Sequence, residues 1–153
     1  MKLNIIGLIA AILAFISIVL PWYSLTSSYG SLNYSLLDFI NAVQVSWYVW
    51  GALALIVIGG LLGLLGSFII GRNGKNLLMV AGILAILSPI IFAGGFVSEG
   101  ATLFGSVLGV TYFLSAGFFL ALIAGILMFI SLKKHPMVAE AVPLAPLAPP
   151  PPQ

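Results

Sequence analysis

Charge is what this 153-residue chain has least of: 5% of its residues are charged, where an ordinary soluble domain carries about 25%. Cysteine is absent altogether and histidine occurs once, at position 135. The first absence excludes disulfides, thiolate metal sites and cysteine nucleophiles, and leaves the loops to be held by hydrogen bonding and packing. No phosphate loop, zinc-ligand spacing or dinucleotide fingerprint occurs. A Ser-His-Asp relay needs its members within hydrogen-bond reach, yet His135 is expected on one side of a membrane and the acids Asp38 and Glu99 on the other. His135, beside Lys133 and Lys134, reads as part of a solvated edge. A net charge of +2 without a dense basic patch gives no grip on nucleic acid. The reading is of a non-enzymatic protein with no cofactor and no metal.

What the chain has in abundance is apolar residues, 62% of the total, arranged between islands of charge. In order, the islands are Lys2, Asp38, Arg72 with Lys75, Glu99, and Lys133 with Lys134. Between them lie four stretches near the length of about 20 residues that a membrane-crossing helix needs: Leu3 to Leu20, Trp47 to Ile70, Leu77 to Val97 and Val110 to Leu132. The expected fold is therefore an all-α membrane protein, a bundle of four transmembrane helices occupying residues 1–134. The basic groups all flank the same ends of the spans, which puts both termini in the cytoplasm of a cell membrane. Trp22, Trp47 and Trp50, with Tyr23, Tyr48 and Tyr112, fall near the opposite ends, where interfacial aromatic anchors are expected. A cleaved signal peptide is the rival reading of the first stretch. Its apolar run is too long for one, ends in Leu20-Pro21-Trp22 and lacks a small-x-small cleavage site.

Two outer loops and a tail complete the chain. In the first loop, residues 21–46, Trp22 to Ser28 and Ser31 to Leu36 alternate roughly around Tyr29-Gly30, which predicts a small β-hairpin. Ser35-Leu-Leu-Asp38 has capping-box spacing ahead of Phe39, Ile40 and Val43, which predicts a short amphipathic helix with Asp38 as a helix-start residue. Asn33-Tyr34-Ser35 is a glycosylation sequon on the expected outer face, making Asn33 a candidate acceptor. The second loop, residues 98–109, is Gly-rich and is expected to rest on the first loop or on a partner. Asp38 and Glu99 read as loop charges rather than as a shared cation site. In the tail, residues 135–153, Pro143, Pro146, Pro149 and Pro152 recur at the polyproline II period. The segment reads as a disordered cytoplasmic tail, with a proline-binding module as the partner it would suit.

Close helix packing in lipid relies on small residues, and the spans carry them at four-residue spacing: Gly59, Gly63, Ser67 and Gly71; Ala81, Ala85, Pro89 and Ala93; Gly117, Ala121 and Gly125. These rows predict the packing seams of a left-handed bundle, with a homodimer face as the other use of such a motif. Pro89 removes one backbone donor and predicts a kink, with Ser88 helping to satisfy the freed carbonyl. The spans contain no acidic, basic or histidine residue, which argues against proton relays and charge-coupled transport but leaves open a pore lined by backbone carbonyls.

The Leu20-Pro21-Trp22-Tyr23-Ser24-Leu25 exit from the first span, the hairpin-plus-helix first loop and the Gly117-to-Gly125 final span resemble small prokaryotic four-span membrane proteins. The layout is also distantly similar to the claudin and peripheral-myelin-protein superfamily, whose first loop carries a cysteine pair that this chain lacks. The resemblance implies a four-helix bundle with an outer loop domain and carries over no functional residue. The expected function is that of a structural or accessory membrane subunit, acting through helix packing and through contacts of its outer loops or tail. Its partners would be the lipid bilayer and a membrane protein or a second copy of itself. The alternatives are a small channel or transporter with an uncharged pore, and a protein of a viral envelope or virus-modified membrane.

Overall fold

The computed structural model describes residues 3–41 and 46–135. The chain is mostly helical, with a small antiparallel sheet of four strands. Its elements are α1 (Ile5–Val19), β1 (Pro21–Ser27), β2 (Gly30–Ser35), α2 (Leu36–Ile40), α3 (Trp47–Phe68), α4 (Arg72–Ser98), β3 (Gly105–Val107), β4 (Val110–Leu114) and α5 (Ala116–Leu132). The four long helices run alternately up and down in the ring order α1-α3-α4-α5, each packed on two neighbours. Two of them, α3 and α4, are long and apolar enough to cross a membrane; α1 and α5 are shorter apolar helices.

Local chemistry sets the boundaries. The Asn4 side chain caps α1 by accepting from the Gly7 N–H, and the helix stops at Leu20, extended at ψ 153, because the residue before a proline is pushed out of the helical region. Ser35 and Asp38 form the expected capping box: the Ser35 hydroxyl accepts from the Asp38 N–H, and the Asp38 carboxylate accepts from the Ser35 N–H. Gly71 joins α3 to α4 at φ +91, a conformation that L side chains adopt only under strain. Residues Arg72 to Lys75 form the first turn of α4. That helix then runs unbroken across Pro89.

The fourth apolar stretch divides into two elements. Val110–Leu114 is a strand, and helix begins only at Ala116. Val-Thr-Tyr-Phe-Leu after Gly109 is rich in β-branched and aromatic residues, which suit a pleated surface; an apolar run of this kind cannot be separated from helix by hydropathy alone. The expected β1–β2 hairpin is present, with Ser28 and Tyr29 at its turn, and β4 pairs with β1 to give the order β2-β1-β4-β3. The two connecting loops at this end of the bundle therefore share one sheet. The architecture is helical with a sheet at one end rather than all-α.

A register slip between Pro21 and Tyr23 marks a β-bulge at Trp22. Successive residues of a regular strand point to opposite faces, yet Trp22 and Tyr23 are both buried; the bulge is what allows it. Trp22 drops between the helices, edge-on to Phe92 and Phe118, and its indole N–H donates to the Ser17 carbonyl at 2.6 Å. Its bed is Gly117, where a Cβ would lie 2.5 Å from Trp22 Cδ1 and 2.6 Å from the Leu20 carbonyl oxygen.

Candidate functional site

The small residues sit at helix contacts, though not in the single-file rows that their spacing suggests. Gly59 faces α4, its Cβ position 3.1 Å from the Ala81 carbonyl oxygen and 3.3 Å from the Ala85 nitrogen. Gly63, one turn on, faces the bundle centre, at 2.8 Å from Met128 Cε and 3.2 Å from Ala11 Cβ. Ser67 bonds back to the Gly63 carbonyl at 2.7 Å and packs against Gly7 of α1. The second close approach of α3 to α4 is at Gly66, seven residues after Gly59, against the Gly74 carbonyl and Leu78. Seven-residue recurrence is the period of a left-handed seam, and it was the signal for Gly66 in the sequence. Ala81, Ala85 and Ala121 are fully buried. Gly125 meets Gly82 of α4, its Cβ position 3.0 Å from the Gly82 carbonyl oxygen. Pro89 is buried, and Ser88 donates across the interface to the Ala52 carbonyl of α3 at 2.7 Å instead of serving its own helix.

The three tryptophans separate. Trp47 and Trp50 are exposed at the sheet end of α3, at 68% and 52%. Trp22 is wholly buried and is a core residue rather than an interfacial anchor. Below the sheet lies an aromatic cluster of Trp22, Tyr23, Phe39, Tyr48, Phe92 and Phe96. Burial, and after it the neighbouring Tyr112 phenol, raises Tyr23 above the usual tyrosine range; its hydroxyl donates to the Thr102 carbonyl at 2.9 Å, tying the second loop down.

The sheet has two unlike faces. Rows of directly paired residues run Tyr23-Tyr34-Leu114, then Leu25-Leu32-Tyr112, both on the face that begins on the helices. The first row is covered by the aromatic cluster. Towards the hairpin turns the cover ends, and a shallow hollow of about 240 Å³ is lined by Leu25, Ser27, Gly30, Leu32 and Val110. Around it Leu32, Phe104 and Val107 are more than half exposed, and Tyr29 and Leu108 at the two turns are 99% exposed. The other face carries Ser24, Thr26, Ser31, Asn33, Ser106 and Thr111, together with Phe113 opposite Ser24. No charged residue lies in any of the four strands. Leu108 has φ +50 and Gly109 φ +79, the pair of positive values of a primed hairpin turn in which asparagine usually precedes glycine. An apolar residue is thus held in a strained, fully exposed position.

Asn33, the sequon asparagine, lies exposed in β2, where its side-chain oxygen accepts from the Ser24 hydroxyl at 2.7 Å; Ser35 of the same sequon is buried and committed to Asp38. Asp38 and Glu99 have separate hydrogen-bond partners. Glu99 accepts from Ser46 at 2.9 Å and from the Tyr48 hydroxyl at 3.2 Å, and among the described residues no three metal-ligating side chains come together. The Ser35 hydroxyl and backbone N–H hold the Asp38 carboxyl below the usual aspartate range. A lowered value means that the capping box contributes fully above the ordinary aspartate range and is lost as pH falls through the lowered one. Hydrogen exchange at the Ser35 N–H is expected to accelerate on acidification through that range, beyond its intrinsic pH dependence. In Asp38→Asn that acid-induced step is expected to vanish.

The opposite end of the bundle carries a second polar construction. Asn4 is buried and touches three helices: its N–H donates to the Ser67 carbonyl of α3 at 3.1 Å, its side-chain oxygen accepts from Gly7, and its side-chain amide donates to the Ser131 carbonyl of α5 at 3.1 Å. The same amide lies 3.1 Å from His135 Nδ1. His135 is 6% exposed, with Nε2 against Gly74 of α4. It is not the solvated residue its lysine neighbours suggested, because the chain turns in after Lys134 and sets the ring among the helix ends. The tail prolines and Val43 lie outside the described residues.

No protein-family model matches the chain, and no curated protein matches it.

Proposed function

We propose that the protein is a four-span membrane protein with both termini in the cytoplasm, working without catalysis as a structural or accessory subunit that offers its outer sheet to a partner membrane protein. At 1.5 Å per residue α1 and α5 are about 22 and 25 Å long, short of a hydrocarbon layer of about 30 Å, a mismatch that membranes meet by local thinning. Support for their spanning lies in their outward faces: Ile5, Ile9, Ile12, Ile16 and Val19 on α1, and Phe119, Ile123, Ile126 and Ile130 on α5, are 41–63% exposed. Such continuous rows suit hydrocarbon and not water. Arg72, Lys75, Lys133 and Lys134 gather at the end away from the sheet, which supports that end as cytoplasmic. The contact of Gly63 with Ala11 and Met128 across the centre favours a packing role over an uncharged pore.

The observation that carries the reading is the apolar sheet face running past its helical cover to Tyr29, Leu32, Val107 and Leu108. Leu108→Asn separates folding from binding there. Relief of the left-handed strain is expected to stabilise the protein by about 1 kcal/mol, read in a denaturant titration in mixed micelles. Combined with Leu32→Ser, it is expected to abolish recovery of any stoichiometric partner in mild-detergent purification from the native membrane. A partner retained by this double variant, and lost instead on deletion of residues 143–153, would move the contact to the tail.

A further inference from the structure

His135 is the only histidine in the chain, and its surroundings dictate its proton. The Asn4 amide cannot be turned over, because its oxygen accepts from the Gly7 N–H and its nitrogen donates to the Ser131 carbonyl. The same nitrogen, a donor only, faces His135 Nδ1 at 3.1 Å. Nδ1 must therefore supply a lone pair, and the ring proton of neutral His135 belongs on Nε2, which is buried beside Gly74 and has no hydrogen-bond partner among the described residues. An imidazolium carries N–H on both nitrogens. Protonation would set donor against donor at Asn4 and leave a charge at a ring to which the described residues offer no acceptor.

We propose that this node is a protonation-sensitive latch on the cytoplasmic end of the bundle, closed with neutral His135 and opened by the imidazolium. Asn4 joins α1 to α3 and α5, and the ring brings α4 into the same knot, so loss of the Nδ1 contact frees the ring and the residues that lead to it after α5, while the Asn4 amide keeps its bond to the Ser131 carbonyl. The charged groups on the elements around the ring act in the same sense. Arg72 and Lys75 on α4 and Lys133 and Lys134 just after α5 are exposed cations, and α1 and α3 carry no charge among the described residues. Among the described residues no carboxylate lies on these elements to hold an imidazolium. The latch does not depend on what covers the outer sheet.

The test uses the full-length protein in lipid nanodiscs, labelled with 15N only at histidine, so that one residue gives the whole signal. A nitroxide on Lys134→Cys, in a chain with no other cysteine, reports motion at the end of α5. At pH 8 the expected spectrum has an unprotonated Nδ1 and a protonated Nε2. As the pH is lowered, the nitroxide should become more mobile in step with the fraction of imidazolium read from the 15N signal, and in His135→Gln its mobility should stay flat. A proton on Nδ1 at pH 8, a ring that stays neutral down to pH 5, or a nitroxide indifferent to ring protonation would each overturn the latch. So would a mobility response that survives in His135→Gln. The wild-type tautomer and mobility measurements stand by themselves if that variant does not fold.

Discussion

Trp22→Ala is expected to destabilise the protein by about 3 kcal/mol or more, the range of large-to-small changes at buried aromatic sites. Three losses coincide there. The indole fills the space bounded by Phe92, Phe118 and Gly117, and a void at that point removes packing that lipid cannot enter to replace. Its N–H also satisfies the Ser17 carbonyl near the end of α1. Finally, the residue sits in the bulge where α1 passes into the sheet, and the Ser115 N–H at the head of α5 donates to the Trp22 carbonyl at 3.0 Å. Denaturant titration in mixed micelles should show the loss. Trp22→Phe, which keeps most of the volume but not the donor, should recover more than half of it. If Trp22→Ala were as stable as the wild type, Trp22 would be the interfacial anchor that hydropathy suggests and not a core residue.

Gly74→Ala is the second large effect, expected at about 3 kcal/mol, the upper end of overpacking costs. A Cβ at Gly74 would overlap the Ile69 carbonyl oxygen and press on His135 Nε2. The first of these is backbone at the end of α3 and has no rotamer into which to retreat. Gly94, in the same helix, has nothing within 4 Å of its Cβ position, so Gly94→Ala should be neutral or gain up to about 1 kcal/mol from helix propensity. Measured side by side, the pair isolates packing from backbone entropy. Equal effects at the two positions would mean that the α3–α4 turn is looser than its geometry indicates. Gly74→Ala should also displace the His135 ring, and the 15N signal of the single histidine reads that separately from stability.

The proposed function joins these two ends. An uncharged sheet with an apolar margin faces one side and a polar knot closes the other, held apart by helices that approach closely at glycines, several of them directly against backbone. Such seams leave little freedom for sliding, because small residues bring the backbones themselves into contact. The bundle is therefore read as a rigid support that fixes the position of the outer sheet.

Hydropathy and charge placement determined the apolar stretches, the loops between them and the ends that carry the cations, because the cost of a charge in hydrocarbon depends on the residue and not on the fold. The capping box at Ser35 and Asp38 and the β1–β2 hairpin were equally legible, since both are made of neighbours in sequence. Tertiary structure alone decided the rest. Val110–Leu114 is a strand because β1 offers it an edge to pair with, and an apolar run does not say which partner it will meet. Trp22 is buried because a bulge turns it inward and Gly117 leaves it room, two facts separated by 95 positions. His135 left the solvent because Asn4, at the other end of the chain, presents a donor that needs its lone pair; chemistry set by partners distant in sequence is written in no local pattern.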